Sequence, residues 1–327
     1  MEANGLGHDG IVEAWQAPVV SRFHQRVAEL PTLGIGISTE FGAADAEGAL
    51  DLDRLRKEAP EFAGFLELGI EVHKGVDVHA ERWLAAGRAT TYHFLDINLD
   101  EPEDFDEGWL RKLRDLVAYT NPAWLCGDLG LWHFGPRDPA QMLLLPPVLT
   151  DASASELAEG IIRLREESGR EVFPENPPGQ VFLGDLHLLD FFARVCERAD
   201  TGLLLDCAHL AIYQRTCGHS PMTGLDGFPL ERLVEMHVAG GSVHEREGYV
   251  WMEDDHGLEV LPETWALLEW LAGRAENLRA VVLECERNVL DDCLPIYRQL
   301  AARLADSPFG RRRGEVLAAQ ELSESPS

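Results

Sequence analysis

Short apolar runs recur along the chain and alternate with longer segments in which apolar residues follow a helical spacing. The runs are apolar almost throughout, as at 33–38 (LGIGIS) and 203–205 (LLL). Parallel strands that are covered on both faces have this composition, because neither face meets water. Between the runs, a segment such as 152–168 places Leu157, Ile161 and Leu164 on one side, which predicts a helix with one buried face. The chain is therefore predicted to be an α/β protein.

The pattern contains eight units of a strand followed by a helix. The predicted strands lie at 33–38, 65–72 and 90–99, within 121–132, in a run ending at 175, and at 201–207, 233–239 and 280–285. Each is followed by a predicted helix or by a long loop with room for a short one. Eight alternating units predict a (β/α)8 barrel. A doubly wound open sheet is the alternative, but no G-x-G-x-x-G follows any predicted strand.

The barrel domain is predicted to occupy residues 32–305. Residues 1–31 form an N-terminal extension with an apolar patch, and residues 306–327 are predicted to be a mostly disordered tail. Two long loops, at 133–151 and 240–257, are candidate lids, since loops of this length in compact domains are often functional.

The late strands end in carboxylate, amide or imidazole side chains. A polar group at the end of an apolar strand costs folding free energy unless something there uses it. In a barrel, the C-terminal strand ends meet at one mouth. By this rule one mouth collects eight residues: His93, Asp128, Glu175, Asn176, Asp206, His209, His237 and Glu284. Asp254 and His256, in the loop after strand seven, are predicted to fold over it.

These donor types point to a transition metal. Imidazoles mixed with carboxylates suit iron, manganese or zinc better than magnesium or calcium, which prefer oxygen ligands. One zinc ion needs about four ligands, so ten candidates allow two or three ions. Each residue also has an ordinary interpretation: a strand histidine in a hydrogen-bonded core, Asp206 as a turn cap, Glu235 facing outward. The occurrence of the set on successive strands favours metal binding.

Composition narrows the class of partner. Apolar residues make up 45% of the chain and charged residues 26%, as in globular proteins. The net charge of −29 argues against nucleic acid and anionic membranes, which need a basic surface. No apolar run reaches the roughly 20 residues of a membrane span, and the N-terminus lacks signal-peptide features, so a cytoplasmic location is expected. The six cysteines form no C-x-x-C pair, which excludes zinc-ribbon and thioredoxin-like motifs.

Five motifs occur in the order seen in a known family. They are E-N-P (175–177), LLLDCAH (203–209), VEMHVAGG (234–241), the pair Asp254 and His256, and VLEC (282–285). With these motifs, residues 33–300 resemble the multinuclear non-haem iron-dependent oxidases of peptide natural-product biosynthesis, which include the methanobactin-forming oxidase. The resemblance implies a xylose-isomerase-like (β/α)8 barrel that holds two or three iron ions (Fe2+/Fe3+) and uses dioxygen as co-substrate. It also implies a cysteine-containing, ribosomally made precursor peptide as substrate, delivered in several members by a partner protein.

The resemblance carries over residue by residue. His93, Glu175 with Asn176, and Asp206 with His209 match family ligand positions, as do His237, Asp254, His256 and Glu284. Glu175, His237 and Asp206 are the expected catalytic positions. Asp128 stands where most members have a histidine. Two early signatures differ: the first strand lacks its histidine and reads GIGIS followed by Thr39-Glu40-Phe41, and the second strand, ELGIEV, retains Glu67 and Glu71 without the asparagine.

Two other functions fit the same strand-end residues. A divalent-metal sugar isomerase or epimerase on this barrel also gathers acids and histidines from the late strands, but it often uses a catalytic lysine. The chain has three lysines, Lys57, Lys74 and Lys112, and none lies at a late strand end. The third interpretation is a non-catalytic peptide-binding protein with an acidic barrel face.

Overall fold

The computed structural model describes residues 22–137 and 143–324, and these form a closed barrel wrapped by helices. The strands are β1 (Gly34–Glu40), β2 (Phe65–Gly69), β3 (Ala89–His93), β4 (Leu125–Asp128), β5 (Val172–Glu175), β6 (Leu203–Asp206), β7 (Leu233–Arg246), β8 (Tyr249–Gly257) and β9 (Ala280–Glu284). The helices are α1 (Arg22–Glu29), α2 (Leu52–Glu58), α3 (Val78–Ala85), α4 (Glu107–Thr120), α5 (Asp151–Ser168), α6 (Leu188–Ala199), α7 (Cys207–Thr216), α8 (Pro262–Ala272), α9 (Leu290–Leu304) and α10 (Pro308–Glu324).

Eight parallel strands make the barrel wall. The order runs from β6 through β5, β4, β3, β2 and β1 to β9 and β7, and the pairing of β7 with β6 closes the ring. Strand β8 stands outside this ring and pairs antiparallel with the far end of β7. The predicted (β/α)8 barrel is confirmed. All parallel strands therefore point their C-terminal ends at one mouth, which positions the polar strand ends together.

Local sequence explains where several helices begin. Asp51, Asp77 and Asp106 each accept a hydrogen bond from the backbone of the first helical turn, which satisfies donors that the helix leaves unpaired. Asp206 does the same for α7 and accepts from the backbone nitrogen of His209. Helix α7 therefore begins directly after β6, and the Asp206 carboxylate at the end of the strand also caps the helix.

The N-terminal extension closes the barrel floor. Phe23 and Val27 of α1 are buried against residues at the N-terminal ends of the strands, among them Phe65, Trp124 and Phe173. Arg26 fixes the helix from outside the floor by pairing with Glu171 at 2.7 Å. The described part of the extension is therefore a plug opposite the mouth; residues 1–21 lie outside the described residues.

The segment 240–257 is a β-hairpin rather than the predicted loop. Strand β7 continues to Arg246, and β8 returns to Gly257. The connection is the two-residue turn Glu247-Gly248, in which both residues have positive φ (55° and 82°), as a tight hairpin turn requires. The ribbon projects beyond the barrel, so its residues lack the continuous apolar pattern that marks the wall strands.

The C-terminal segment forms helix α10, which corrects the prediction of a mostly disordered tail. Phe309 is fully buried in the main core. Arg312 donates to the carbonyl oxygen of Leu278, and Arg313 donates to that of Glu61. One buried aromatic side chain and these contacts hold a segment whose composition alone indicated disorder.

Two further departures concern element boundaries. The apolar spacing at 50–65 predicts one helix, but α2 ends at Glu58, because Pro60 lacks a backbone N–H and the chain continues as a single 3-10 turn. The predicted third strand, 90–99, ends at His93, so Asp96 lies in the loop beyond it. No helix in the described residues combines the length and apolar character needed to cross a membrane.

Candidate metal centre

The mouth of the barrel opens into a cavity of about 710 Å³. Its lining includes nine acidic side chains from the strand ends and the loops that follow: Glu40, Glu67, Glu71, Asp128, Glu175, Glu253, Asp254, Glu284 and Glu286. His93, His209 and His256 share the lining. Of the ten residues predicted to ligate metal, Asn176, Asp206 and His237 lie behind this surface and are buried.

Glu175 at the end of β5 is the centre of the cluster. One of its oxygens, Oε2, lies 2.6 Å from His93 Nε2. The other, Oε1, lies 3.3 Å from His237 Nδ1 and 3.7 Å from His209 Nδ1. Asp128, at the end of the neighbouring β4, approaches His93 Nε2 at 3.9 Å. Side chains from β3, from β7 and from the first turn of α7 therefore converge on the Glu175 carboxylate, close to the polar end of β4.

His237 lies between two layers of carboxylates. Its Nδ1 faces the mouth, 3.3 Å from Glu175 and 3.4 Å from Glu284. Its Nε2 faces the barrel interior, 3.1 Å from Glu67 Oε1. Glu67 is held in turn by Thr91 and by the Cys126 thiol, both of which donate to Oε2. A buried carboxylate behind an imidazole fixes the orientation of the ring, which is how metal-binding histidines are commonly held.

The hairpin brings the last part of the cluster over the mouth. Asp254 Oδ2 lies 2.9 Å from His209 Nε2 and 3.5 Å from His256 Nε2. His256 has a left-handed backbone (φ 49°), an unusual conformation for a non-glycine residue that directs its ring inward. Its Nδ1 lies 2.7 Å from Glu286, and its Nε2 lies 3.8 Å from Glu284.

Asn176 has a positioning role in the structure. Its amide nitrogen donates to the carbonyl oxygen of Asp206 at 3.0 Å, and its amide oxygen accepts from the Asp206 backbone nitrogen at 2.9 Å. The Asn176 carbonyl oxygen lies 2.8 Å from His209 Nδ1. Asn176 therefore ties the ends of β5 and β6 together, and its place among the ligands stays a prediction.

The remaining ligand atoms fit a bound cation. Within the described residues, six site residues have buried ligand atoms without a hydrogen-bond partner: Asp128 Oδ1, Glu175 Oε1, Asp206 Oδ2, both ring nitrogens of His237, Asp254 Oδ1 and Glu284 Oε2. Unpaired buried oxygens and nitrogens of this kind cost free energy unless a ligand satisfies them. Four overlapping groups of three predicted ligands have ligand atoms within 4.8 Å of one another. The set can hold more than one metal ion.

Carboxyl and imidazole groups are buried side by side in the cluster, and each shifts the pKa of its neighbours. Burial lowers the pKa of His93, but the hydrogen bond and charge of Glu175 outweigh it and raise that pKa to about 9. Burial raises the pKa of Asp206 to about 7, against the opposing charge of His209. Burial disfavours the charged form of Glu175 as well, yet His237 and His93 hold its pKa well below its usual range. Metal binding would displace these shared protons.

Comparison with known proteins identifies the family. The model of the "RiPP precursor modification enzyme MbnB/TglH/ChrH" family, where RiPP denotes a ribosomally synthesised and post-translationally modified peptide, matches residues 51–304. The chain belongs to this family. The match spans the barrel from α2 to the end of α9 and so includes every predicted ligand, which confirms the family resemblance drawn from the five motifs.

Relatives and solved structures agree with this family and fold. A UPF0276 protein of Caulobacter sp. (strain K31) is 28% identical over 283 residues, 83% of this chain and 93% of the relative. One from Anaeromyxobacter sp. (strain Fw109-5) is 29% identical over 177 residues, 54% of this chain and 60% of the relative. A xylose isomerase-like TIM barrel protein from Mycobacterium smegmatis, in complex with magnesium, has a TM-score of 0.50 at 12% identity and covers 85% of this chain and 99% of its own. Endonuclease IV from Thermus thermophilus has a TM-score of 0.50 at 15% identity, with coverages of 84% and 100%.

Two residues of this MbnB/TglH/ChrH family member enter the site without having been predicted there. Glu286 bonds His256 from two positions beyond Glu284, and Glu67 supports His237 from the barrel interior. Glu67 could have been found, since it is a lone acid inside the apolar run FLELG of β2. Glu235, predicted as an alternative to face outward, is fully buried inside the barrel, where Trp124 Nε1 donates to it at 2.6 Å.

Proposed function

We propose that this chain is a multinuclear non-haem iron-dependent oxidase that modifies a cysteine residue of a ribosomally synthesised precursor peptide. The observation that carries the proposal is the buried cluster of unpaired carboxylate and imidazole atoms at the mouth of a barrel in a RiPP-modifying family. Family membership supports a peptide substrate, and the mixed nitrogen and oxygen donors suit iron. Dioxygen is the proposed co-substrate, and a partner protein that delivers the peptide is part of the hypothesis.

Nine residues are proposed to hold the iron: His93, Asp128, Glu175, Asp206, His209, His237, Asp254, His256 and Glu284. Iron bound there would supply the redox chemistry that couples the reduction of dioxygen to the oxidation of a cysteine. The protein supplies orientation. Glu67 holds the His237 ring with Nδ1 toward the mouth, and Asn176 keeps Asp206 in register with Glu175. Supporting residues such as Glu67 and Asn176 keep the ligands in the right geometry before the metal or the substrate binds.

Two segments are proposed to shield the reacting groups from water. The hairpin of β7 and β8 places Met252 and Asp254 in the cavity lining, and the segment after β4 contributes Trp132 and Leu144. Gln180 donates from the loop after β5 to the Met252 carbonyl oxygen, which ties that loop to the hairpin. These segments contain the two predicted lids, of which residues 138–142 lie outside the described residues. Closure of the described parts over a bound peptide would exclude bulk water.

The proposal is tested by iron content and oxygen uptake. After anaerobic purification with ferrous iron, the protein is expected to retain two or three iron ions with a Mössbauer spectrum of coupled high-spin sites. His237→Ala is expected to lose at least one of them, whereas His73→Ala, which changes an exposed histidine, retains the full number. Iron-free protein, or iron-loaded protein that consumes no oxygen with any cysteine-containing peptide, would contradict the proposal.

A further inference from the structure

Two basic side chains, Lys74 and Arg287, line the cavity. Among the described residues of its lining, lysine and arginine occur only at positions 74 and 287, against nine acidic side chains. Lys74 follows β2 and Arg287 follows β9, and β1 lies between these two strands in the barrel order. Both cations therefore flank the C-terminal end of β1, where the cavity has no residue of the proposed iron-binding set.

Contacts at the end of β1 hold the two cations in place. The Lys74 ammonium lies 2.7 Å from Glu71 Oε1 and 6.0 Å from the ring of Phe41. Arg287 Nη2 donates to both oxygens of Glu40, the residue before Phe41, at 3.1 and 3.2 Å. Glu40 and Phe41 are consecutive, so the two cations contact neighbouring positions at the C-terminal end of β1, and both line the cavity.

The carboxylates beneath these cations are fixed. Glu71 is 5% exposed and Glu286 is 3% exposed. Glu286 bonds His256 at 2.7 Å, accepts from Ser38, and lies 3.6 Å from Arg287 Nε. Both cationic side chains are partly open to solvent: the Lys74 side chain is 37% exposed and that of Arg287 is 59% exposed. An ammonium has three donors and a guanidinium has five, so both can accept a further anionic partner.

We propose that the pair Lys74 and Arg287 forms a subsite for a carboxylate of the substrate peptide. A carboxylate is the group that suits this pair, since carboxylates of Glu71 and Glu40 already contact the two cations. Beside β1 the same group gains charge-assisted hydrogen bonds. This inference rests on the proposed function for the identity of the ligand as a cysteine-containing peptide. It assigns the peptide a carboxylate near its reactive cysteine, from the C-terminus or from an acidic neighbour.

Binding of four synthetic acetylated peptides to the iron-loaded protein under argon tests the subsite without requiring turnover. One ends in Gly-Cys as the free acid and one in Gly-Cys amide; the other two end in Asp-Cys amide and Asn-Cys amide. A C-terminal carboxylate predicts about 10- to 100-fold tighter binding of the free acid than of its amide, the usual range for hydrogen bonds to a charged group. A side-chain carboxylate predicts the same preference for Asp-Cys over Asn-Cys.

The variant Lys74→Gln/Arg287→Gln is expected to abolish whichever preference the wild type shows, while its iron content stays the same. The matched control, Lys57→Gln/Arg111→Gln, removes two exposed cations outside the cavity and is expected to keep the preference. No preference in either peptide pair, or a preference that survives in the Lys74/Arg287 variant, overturns the subsite. Iron-dependent oxygen uptake without a preference overturns the subsite alone, and a preference without oxygen uptake overturns the oxidase alone.

Discussion

At the scale of single residues, we expect the buried Glu67 to orient the His237 ring, because it faces the Nε2 atom from the barrel interior. Glu67→Gln keeps the shape but removes the charge that lies 3.1 Å from His237 Nε2. We expect a roughly 10- to 100-fold loss of affinity for ferrous iron, the range reported for residues that support metal ligands. A competition titration with a chelator of known affinity measures it.

The control for this prediction is Glu235→Gln in the same layer of the barrel. Burial, with the added charge of Glu67, raises the pKa of Glu235 to about 8, so this carboxyl is mostly neutral near pH 7. A glutamine resembles the neutral acid and can still accept from Trp124, so iron affinity should be unchanged. Equal losses in both variants would contradict a specific role for Glu67.

Asp96 provides a pH-dependent prediction outside the metal centre. Burial raises its pKa from 3.8 to about 6, against the charge of Arg137. The pKa of Asp96 is higher in the folded than in the unfolded state, so its ionisation destabilises the folded state. This free-energy cost grows as pH rises from about 4 to 6 and is constant above pH 6. Asp96→Asn should therefore raise the free energy of unfolding by about 1–3 kcal/mol at pH 7.5.

The same Asp96→Asn substitution should give almost no gain near pH 4, where the folded wild type is already protonated. Urea denaturation of metal-free protein at the two pH values measures the difference. A gain that is equal at both pH values would show that packing, rather than ionisation, accounts for the effect.

At the scale of elements, the wall strands could be predicted and the hairpin could not. Strands such as β5 and β6 are buried on both faces and bounded by polar ends, so their sequence alone places Glu175 and Asp206. Among the described residues beyond Gly241, the hairpin adds only Met252 to the buried core, and most of its outer residues are exposed. A solvated two-stranded ribbon carries little apolar periodicity, and the Glu247-Gly248 turn was its one local signal. Glu286 could not be predicted as a site residue, because its role is to contact His256, and only the folded hairpin brings His256 near it.

The crossing of the hairpin strands at Gly240 gives a prediction at this scale. A Cβ atom at Gly240 would lie 2.1 Å from the backbone oxygen of Gly257. This clash can be relieved only if the backbone of one of the two strands moves. Gly240→Ala should displace the adjoining Asp254 and His256 and lower the number of bound iron ions by about one. Inductively coupled plasma analysis measures the stoichiometry.

Gly314→Ala is the matched control for the hairpin substitution. It lies in α10, where a Cβ atom meets nothing within 4 Å, so the iron content should not change. Alanine in a helix should even stabilise the fold, by roughly 0.5–1 kcal/mol. A Gly240→Ala protein with full iron content would show that the hairpin ligands are dispensable.

At the scale of the whole molecule, the barrel separates an apolar floor from an acidic mouth. Helix α1 seals one end with Phe23 and Val27, and the other end concentrates unpaired acids around Glu175. The fold class could be predicted because every wall strand is buried on both faces, and such strands are apolar at almost every position. The plug by α1 and the packing of α10 could not, because each depends on one or two aromatic contacts that only the closed barrel creates.

Because the mouth concentrates unpaired acids, we expect the stability of the folded state to depend on bound metal. Carboxylates brought together in a buried site oppose folding, and a cation that binds the folded state alone stabilises it by an amount set by its concentration relative to Kd. At a free metal concentration of about 100 times Kd, the expected gain is about 2.7 kcal/mol. Anaerobic thermal unfolding with ferrous iron and after chelation should therefore show a higher Tm for the loaded protein. The same comparison on His237→Ala should show a smaller shift, since fewer ligands remain. An identical Tm with and without iron would mean that the acidic mouth is held together by its own protons and hydrogen bonds, and that metal binding contributes nothing to the fold.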